Sequence, residues 1–164
     1  MAANRGKQLE EKFEEALKKL YTEKWLDYIR LYDITMGYSG VKNPCDFVAF
    51  KKPIQFYIEC KATNENTLNL TRITQYDDLV EHNNPFGGTK AGVIVWFTEH
   101  KETYWVDIEY IKNLKMLNYK SINIKNLRAL TIPNNLVFKL DGENRRVFTE
   151  YDLRSFFEYY TQNS

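Results

Sequence analysis

The stretch Cys45-Asp46-Phe47-Val48-Ala49-Phe50-Lys51-Lys52-Pro53-Ile54-Gln55-Phe56-Tyr57-Ile58-Glu59-Cys60-Lys61 decides the fold. Two apolar runs, residues 47–50 and 54–58, flank Lys51-Lys52-Pro53, which reads as strand, tight connection, strand. A hairpin folded at Lys52-Pro53 sets Asp46 opposite Glu59. Side chains alternate across a sheet, so Glu59 and Lys61 share one face, and a cross-strand partner shares it too. Two carboxylates and a lysine therefore converge at the end of a short sheet. Such a group holds Mg²⁺ through its carboxylates, while the lysine steers or deprotonates a water. In outline this is hydrolytic phosphodiester chemistry. Both acids end apolar runs, where a charge is costly unless it is exposed or coordinated. Asp-x(n)-Glu-x-Lys is nevertheless a short pattern, and exposed strand-end carboxylates with a surface lysine would satisfy it.

Working outward, residues 7–21 form an amphipathic helix by the spacing of Leu9, Phe13, Ala16, Leu17 and Leu20. Its Glu10 and Glu14 share a face, as do Glu11 and Glu15. Residues 22–32 fit either a continued helix or a strand. The loop from Gly37 to Pro44 leads into Asp46, and residues 62–71 are polar and turn-like. A helix is expected from Thr74 to about Asn83, capped by Thr71 or Thr74. Residues 91–97 are a buried strand by their unbroken apolar run, and residues 103–107 return beside it. Residues 108–117 and 151–160 read as helices, the latter with Phe156 and Phe157 inward. The order α-β-β-β-α-β-β-α implies an α/β fold, a central mixed β-sheet flanked by helices. No linker, repeat or low-complexity segment divides residues 1–164, so a single domain is expected.

Composition is that of an ordinary globular chain: 43% hydrophobic and 27% charged, with aromatics high at 15%. No apolar run is long enough to span a bilayer and residues 1–5 lack a signal-peptide core, which points to the cytoplasm. Cys45 and Cys60 fit a reducing compartment as core thiols, with a disulfide or redox pair as alternatives. In the hairpin register they would be cross-strand neighbours on the face away from Asp46 and Glu59. The net charge of +1 gives no support for a polyanionic partner. Its distribution is more telling: residues 112–146 hold 8 Lys/Arg against 2 Asp/Glu, a net of +6. Lys112, Lys115, Lys120, Lys125, Arg128, Lys139, Arg145 and Arg146 are thus either a solvated face or a phosphate-binding surface beside an acidic pocket. His82 and His100 lack partners at zinc spacing and read as helix-end and turn residues.

The opening Asn4-Arg5-Gly6-Lys7-Gln8-Leu9-Glu10-Glu11, the order of Asp46, Glu59-Cys60-Lys61 and Ile73-Thr74-Gln75-Tyr76, and residues 119–127 together resemble the RecU-type Holliday junction resolvases. The resemblance implies a restriction-endonuclease-like PD-(D/E)xK core, a homodimer, and Mg²⁺-dependent paired nicking of four-way DNA junctions that leaves 5′-phosphate ends. Mn²⁺ is expected to substitute for Mg²⁺. Asp46 and Glu59 would be metal ligands, joined by Glu10, which matches a first-helix acid of related archaeal resolvases; Glu14 is its substitute. Lys61 would act on the water, and Gln75 would assist the metal site. Arg5, Lys7, Tyr38 and Lys42 make up the expected DNA-contacting set, with the loop aromatics Tyr38 and Phe86 placed to stack on an opened junction. In these proteins a stalk precedes the catalytic Asp, whereas here only about residues 33–45 are available, so the stalk is short or missing. The compact form suits a phage-encoded or low-GC bacterial member. The rival readings are a nuclease of the same fold with another DNA substrate, and a junction-binding recombination accessory protein that does not cut.

Overall fold

The computed structural model describes residues 4–32, 43–129 and 136–162. Helix α1 (Arg5–Thr22) starts where Asn4 accepts the Lys7 N–H at 3.0 Å, and buries Leu9, Phe13, Ala16, Leu17 and Leu20. It ends at Thr22, and Lys24, with a φ of 59°, turns the chain away from the helix axis. Strand β1 (Asp27–Arg30) follows, resolving the ambiguity of residues 22–32 in favour of a strand. Strands β2 (Phe47–Lys51) and β3 (Ile54–Thr63) form the hairpin, with Phe47 opposite Ile58 and Lys51 opposite Ile54. After β4 (Thr67–Asn69), a 3-10 turn (Leu70–Arg72) and α2 (Tyr76–His82), the chain enters β5 (Thr89–Phe97) and β6 (Glu102–Asp107). Helix α3 (Ile108–Met116), β7 (Ser121–Asn123), α4 (Ile124–Ala129), β8 (Val137–Lys139), β9 (Asp141–Asn144), β10 (Thr149–Asp152) and α5 (Arg154–Gln162) complete the order.

The central sheet runs β1-β2-β3-β5-β6-β8 and is mixed, because β3 and β5 pair in parallel from Gln55↔Thr89 to Thr63↔Phe97 while the other pairs are antiparallel. A parallel pair needs a crossover, and β4, the 3-10 turn and α2 supply it. Strand β5 is buried on both faces, which explains its unbroken apolar run. Ile94 and Trp96 join Phe56, Ile58 and Trp105 under α1 and α5, while Val93, Val95 and Phe97 pack with Leu79, Ile111 and Leu114 of α2 and α3. The expected mixed sheet flanked by helices is what the chain forms.

Several expectations need correction. Residues 62–71 are not a simple turn: β3 extends to Thr63 because β5 offers a nine-residue partner, and β4 pairs with β7. Neither Thr71 nor Thr74 caps α2. Asn69 uses its side chain on Thr71 N in the 3-10 turn, and Gln75 stands at the start of α2 without a side-chain cap bond. Tyr151 and Asp152 belong to β10, paired with Gly142 and Asp141, so the last helix starts at Arg154. The two cysteines are free and buried but do not share a face. Cys60 packs under α1, whereas Cys45 lies in the other core, its Sγ donating to Phe47 O at 3.2 Å, because the chain leaves the strand pleat at Asp46. No helix among the described residues is long and apolar enough to cross a membrane.

Gly92 shows how closely β5 and β6 are packed. A Cβ there would lie 2.6 Å from the Trp105 ring and 2.7 Å from Val106 O. Gly92→Ala is therefore expected to destabilise the protein by about 1–3 kcal/mol, read as a lower urea midpoint with an unchanged slope.

Candidate active site

The site is built where β2 ends before β3 does. Past Phe47 there is no β2 backbone to receive the Cys60 N–H, and Asp46 Oδ2 accepts it at 2.8 Å. Asp46 is fixed by its backbone as well: its N–H donates to Ile58 O at 3.0 Å and its carbonyl accepts Leu31 N–H at 2.8 Å. One carboxylate is thereby held against the strand that carries the other.

Glu59 is 2% exposed. Its Oε1 lies 3.9 Å from Lys61 Nζ, and its Oε2 is buried without a hydrogen-bond partner among the described residues. Burial, followed by the proximity of Asp46, pushes the Glu59 carboxyl up to about 9. A hydrogen bond between these two acids exists only when one carries a proton. Burial also pushes the Cys45 thiol up to about 12 and raises Cys60, so neither is set up as a thiolate.

Above this pair lies a cleft of about 660 Å³. Glu10 of α1, Asp46, Lys61 and Gln75 line it together, joined by Lys7, Arg30, Arg72 and Thr74. Arg30 bridges the two α1 acids, Glu14 at 2.5 Å and Glu10 at 3.2 Å, and its guanidinium lies over the Tyr32 and Phe47 rings. Burial raises the Glu10 carboxyl, Asp46 adds to the rise, and Arg30 opposes it. Gln75 Oε1 accepts from Thr74 Oγ1 at 2.9 Å. The cleft thus presents four cationic side chains around a carboxylate base, an arrangement suited to an anion that arrives with a cation.

Among the described residues no three His, Cys, Asp or Glu side chains close on a common point able to hold a metal. Glu10, tied to Arg30, is not brought into one cluster with Asp46 and Glu59. Asp46 lines the cleft and Glu59 does not, yet the pair, with one Glu59 oxygen buried and orphaned among the described residues, still fits a hard divalent cation. Mg²⁺ commonly takes one or two carboxylates and leaves its other positions to waters and substrate phosphate.

Of the expected DNA-contacting residues, Lys7 lines the cleft and Arg5 does not. The Arg5 guanidinium donates to Gln8 Oε1 and Val147 O, both at 3.0 Å, and sits over Trp96. Tyr38 and Lys42, with most of the segment set against the family's stalk, lie outside the described residues. Phe86 is 98% exposed beside the Lys52-Pro53 turn, at the far end of β3 from Lys61. His82 ends α2 with its Nδ1 on Asp78 O. The basic residues of the 112–146 stretch are dispersed, and none lines the cleft. Arg128 and Lys139 pair with Glu102, and Arg145 with Glu143 and Glu150. Sequence reasoning missed Arg30, Arg72 and Thr74. Arg30 lay in the stretch without a clear period. Its position 20 residues after Glu10 becomes informative only once β1 is known to run beside α1.

No protein-family model matches this chain, and no curated protein matches it. The solved structures similar to it include that of Archaeoglobus fulgidus Hjc, described as a Holliday junction resolvase from an archaeal hyperthermophile. The two are 22% identical; the alignment covers 59% of this chain and 74% of that one, with a TM-score of 0.42. A likeness at this level says nothing of what this chain acts on.

Proposed function

We propose that the chain is a divalent-metal-dependent endodeoxyribonuclease of the Holliday junction resolvase type, cutting four-way DNA as a homodimer. The observation that carries this reading is the buried Glu59 carboxyl facing Asp46, with one oxygen unpartnered, beneath a cleft walled by Lys7, Arg30, Lys61 and Arg72. An unsatisfied buried polar atom costs about 1–3 kcal/mol, more when charged, so a purely structural role for Glu59 is unfavourable. The resemblance of the Asp46, Glu59-Cys60-Lys61 and Gln75 order to the RecU-type resolvases supports the same reading and narrows the substrate to branched DNA.

In this reading Asp46 and Glu59 hold Mg²⁺, or Mn²⁺ in its place, with Glu10 reaching it only if released from Arg30. The bound ion supplies Lewis-acid polarisation of the phosphoryl oxygen and a more acidic water. Lys61 Nζ donates to a non-bridging phosphate oxygen, where negative charge grows as the water attacks. The Gln75 side-chain amide orients that water. Lys7 and Arg72 hold the flanking phosphates and so fix the scissile bond in line. The bond that breaks leaves a 3′-hydroxyl and a 5′-phosphate, which can be rejoined. A twofold dimer supplies two such sites at fixed spacing for paired cuts.

The test is incubation of a synthetic four-way junction, beside linear duplex, with Mg²⁺ or EDTA. Wild type is expected to make paired symmetric nicks that disappear with EDTA and in Asp46→Asn. Lys61→Ala is expected to lose about 100- to 1000-fold in kcat while still binding the junction. Junction binding without metal-dependent cutting would contradict the reading. Equal cutting of junction and duplex would move it to a general nuclease.

The buried acid also sets a pH dependence. With its carboxyl raised above the usual 4.5 to about 9, folding keeps a proton on Glu59 that the unfolded chain gives up. The stability that Glu59 allows is therefore fully present below about pH 4.5 and is lost as pH rises through about 9. Glu59→Gln removes this loss. In EDTA it is expected to raise Tm at pH 8 by about 4–8 °C, corresponding to roughly 2 kcal/mol, and to change it little at pH 5. Equal effects at both pH values would contradict a buried, proton-retaining Glu59.

A further inference from the structure

Residues 69–76 have two sides. Arg72, Thr74 and Gln75 line the catalytic cleft, whereas Asn69, Leu70 and Thr71 line a second hollow of about 200 Å³ with Lys115, Asn118, Tyr119 and Lys120. The two hollows thus share one chain segment as a common wall.

The second hollow is held by backbone bonds. Leu70 N–H donates to Lys120 O at 2.9 Å, and the β4–β7 pairing sets Asn69 opposite Ser121. The end of α3 is fixed by Asn118, whose φ of 63° turns the chain so that Tyr119 N–H returns to Leu114 O at 2.9 Å. These bonds present Tyr119 outward, 56% exposed, between Lys115 and Lys120. Lys115 Nζ lies 3.7 Å from the centre of the Tyr76 ring at the start of α2.

Residues 69–76 and 115–120 contribute Arg72, Lys115 and Lys120 and no carboxylate. The acids whose charge reaches Tyr76 are Asp77 and Glu109, and both lie outside these segments. A run of cations with an exposed ring among them, leading out of a phosphate-binding cleft, is the pattern that binds single-stranded nucleic acid. Cations track the backbone and the ring takes a base face. A fully paired duplex would use the cations and leave the ring idle.

We propose that this surface is the path of the DNA strand beyond the cleft, in an unpaired stretch: Arg72, Lys115 and Lys120 hold backbone phosphates, and Tyr119 stacks on an unpaired base. The assignment rests on the nuclease reading above and adds to it where the strand runs and in what state. It gives branched DNA, with unstacked nucleotides near its crossing point, an advantage over continuous duplex.

The experiment is equilibrium binding by the whole protein in EDTA, where nothing is cut. The probes are a labelled single-stranded oligodeoxynucleotide and a synthetic four-way junction, at about 50 to 200 mM salt. Lys115→Ala/Lys120→Ala is expected to reduce the steepness of log K against log salt by about 1.4 on the single strand, the loss of two phosphate contacts. Tyr119→Ala is expected to weaken single-strand binding about 5- to 100-fold without changing that steepness, and Tyr119→Phe to restore it. Lys24→Ala/Lys52→Ala, in the hollow beside Trp25 at the other end of the hairpin, should bind as wild type does. If the Lys115/Lys120 and Tyr119 variants all keep wild-type affinity and salt dependence, the path is wrong and the nuclease reading stands. If wild type binds neither probe at any salt, both fall.

Discussion

The site depends on the hydrogen bond from Cys60 N–H to Asp46 Oδ2. A strand that ends before its partner leaves a backbone donor facing nothing, and a buried orphan of that kind is costly. Asp46 supplies the missing acceptor with its side chain, and a hydrogen bond to a charged group contributes about 1.5–3 kcal/mol. The same bond brings a carboxylate to the floor of the cleft beside Glu59. Fold stability and site geometry therefore share one contact. The mixed sheet makes this possible, since β5 continues beside β3 after β2 has departed and keeps Glu59 and Lys61 in register opposite Val93 and Val95.

The electrostatics of the cleft follow from what surrounds that contact. Glu59 is deep enough that its charge is disfavoured unless a proton or a cation shares it. Arg30 pairs with both Glu10 and Glu14 and offsets one of their two charges, so these α1 acids do not add freely to the charge at Asp46 and Glu59. Lys7, Lys61 and Arg72 then give the cleft wall a positive character, the feature on which the proposed binding of a phosphate diester rests. The overall charge of +1 conceals this, because most of the basic surplus in residues 112–146 is spread over other elements and partly paired with Glu102, Glu143 and Glu150. What counts for a polyanion is the local arrangement rather than the total.

Much of the frame was legible from residue order. The β2–β3 hairpin declares itself through two apolar runs about a Lys-Lys-Pro connection, and α1 through five apolar positions at helical spacing, all five of them buried. The doubly buried β5 has no polar face to confuse its reading. What was not legible has physical causes. Strand β9 is exposed at every residue, so neither period nor polarity marks it, and it exists only because β10 pairs with it. Cys45 left the expected face because alternation holds only while the ladder continues, and the ladder stops at Asp46. Arg30 and Arg72 came to the cleft through the β1 pairing and the 3-10 turn, both set by tertiary packing. Lys61 was placed by the alternation of the hairpin, whereas Lys7, Glu10 and Gln75 were singled out only by the resemblance, because periodicity gives the elements and not the packing that brings them to one cleft.

The central claim is that Asp46 and Glu59 together hold a divalent cation. Its most direct test is titration of Mn²⁺ against the metal-free protein, followed by the paramagnetic resonance signal of the free ion, for wild type, Asp46→Asn and Glu59→Gln. The account predicts saturable Mn²⁺ uptake by wild type, displaced by Mg²⁺ and weakened about tenfold or more in each variant. Uptake by Glu59→Gln equal to that of wild type would contradict it.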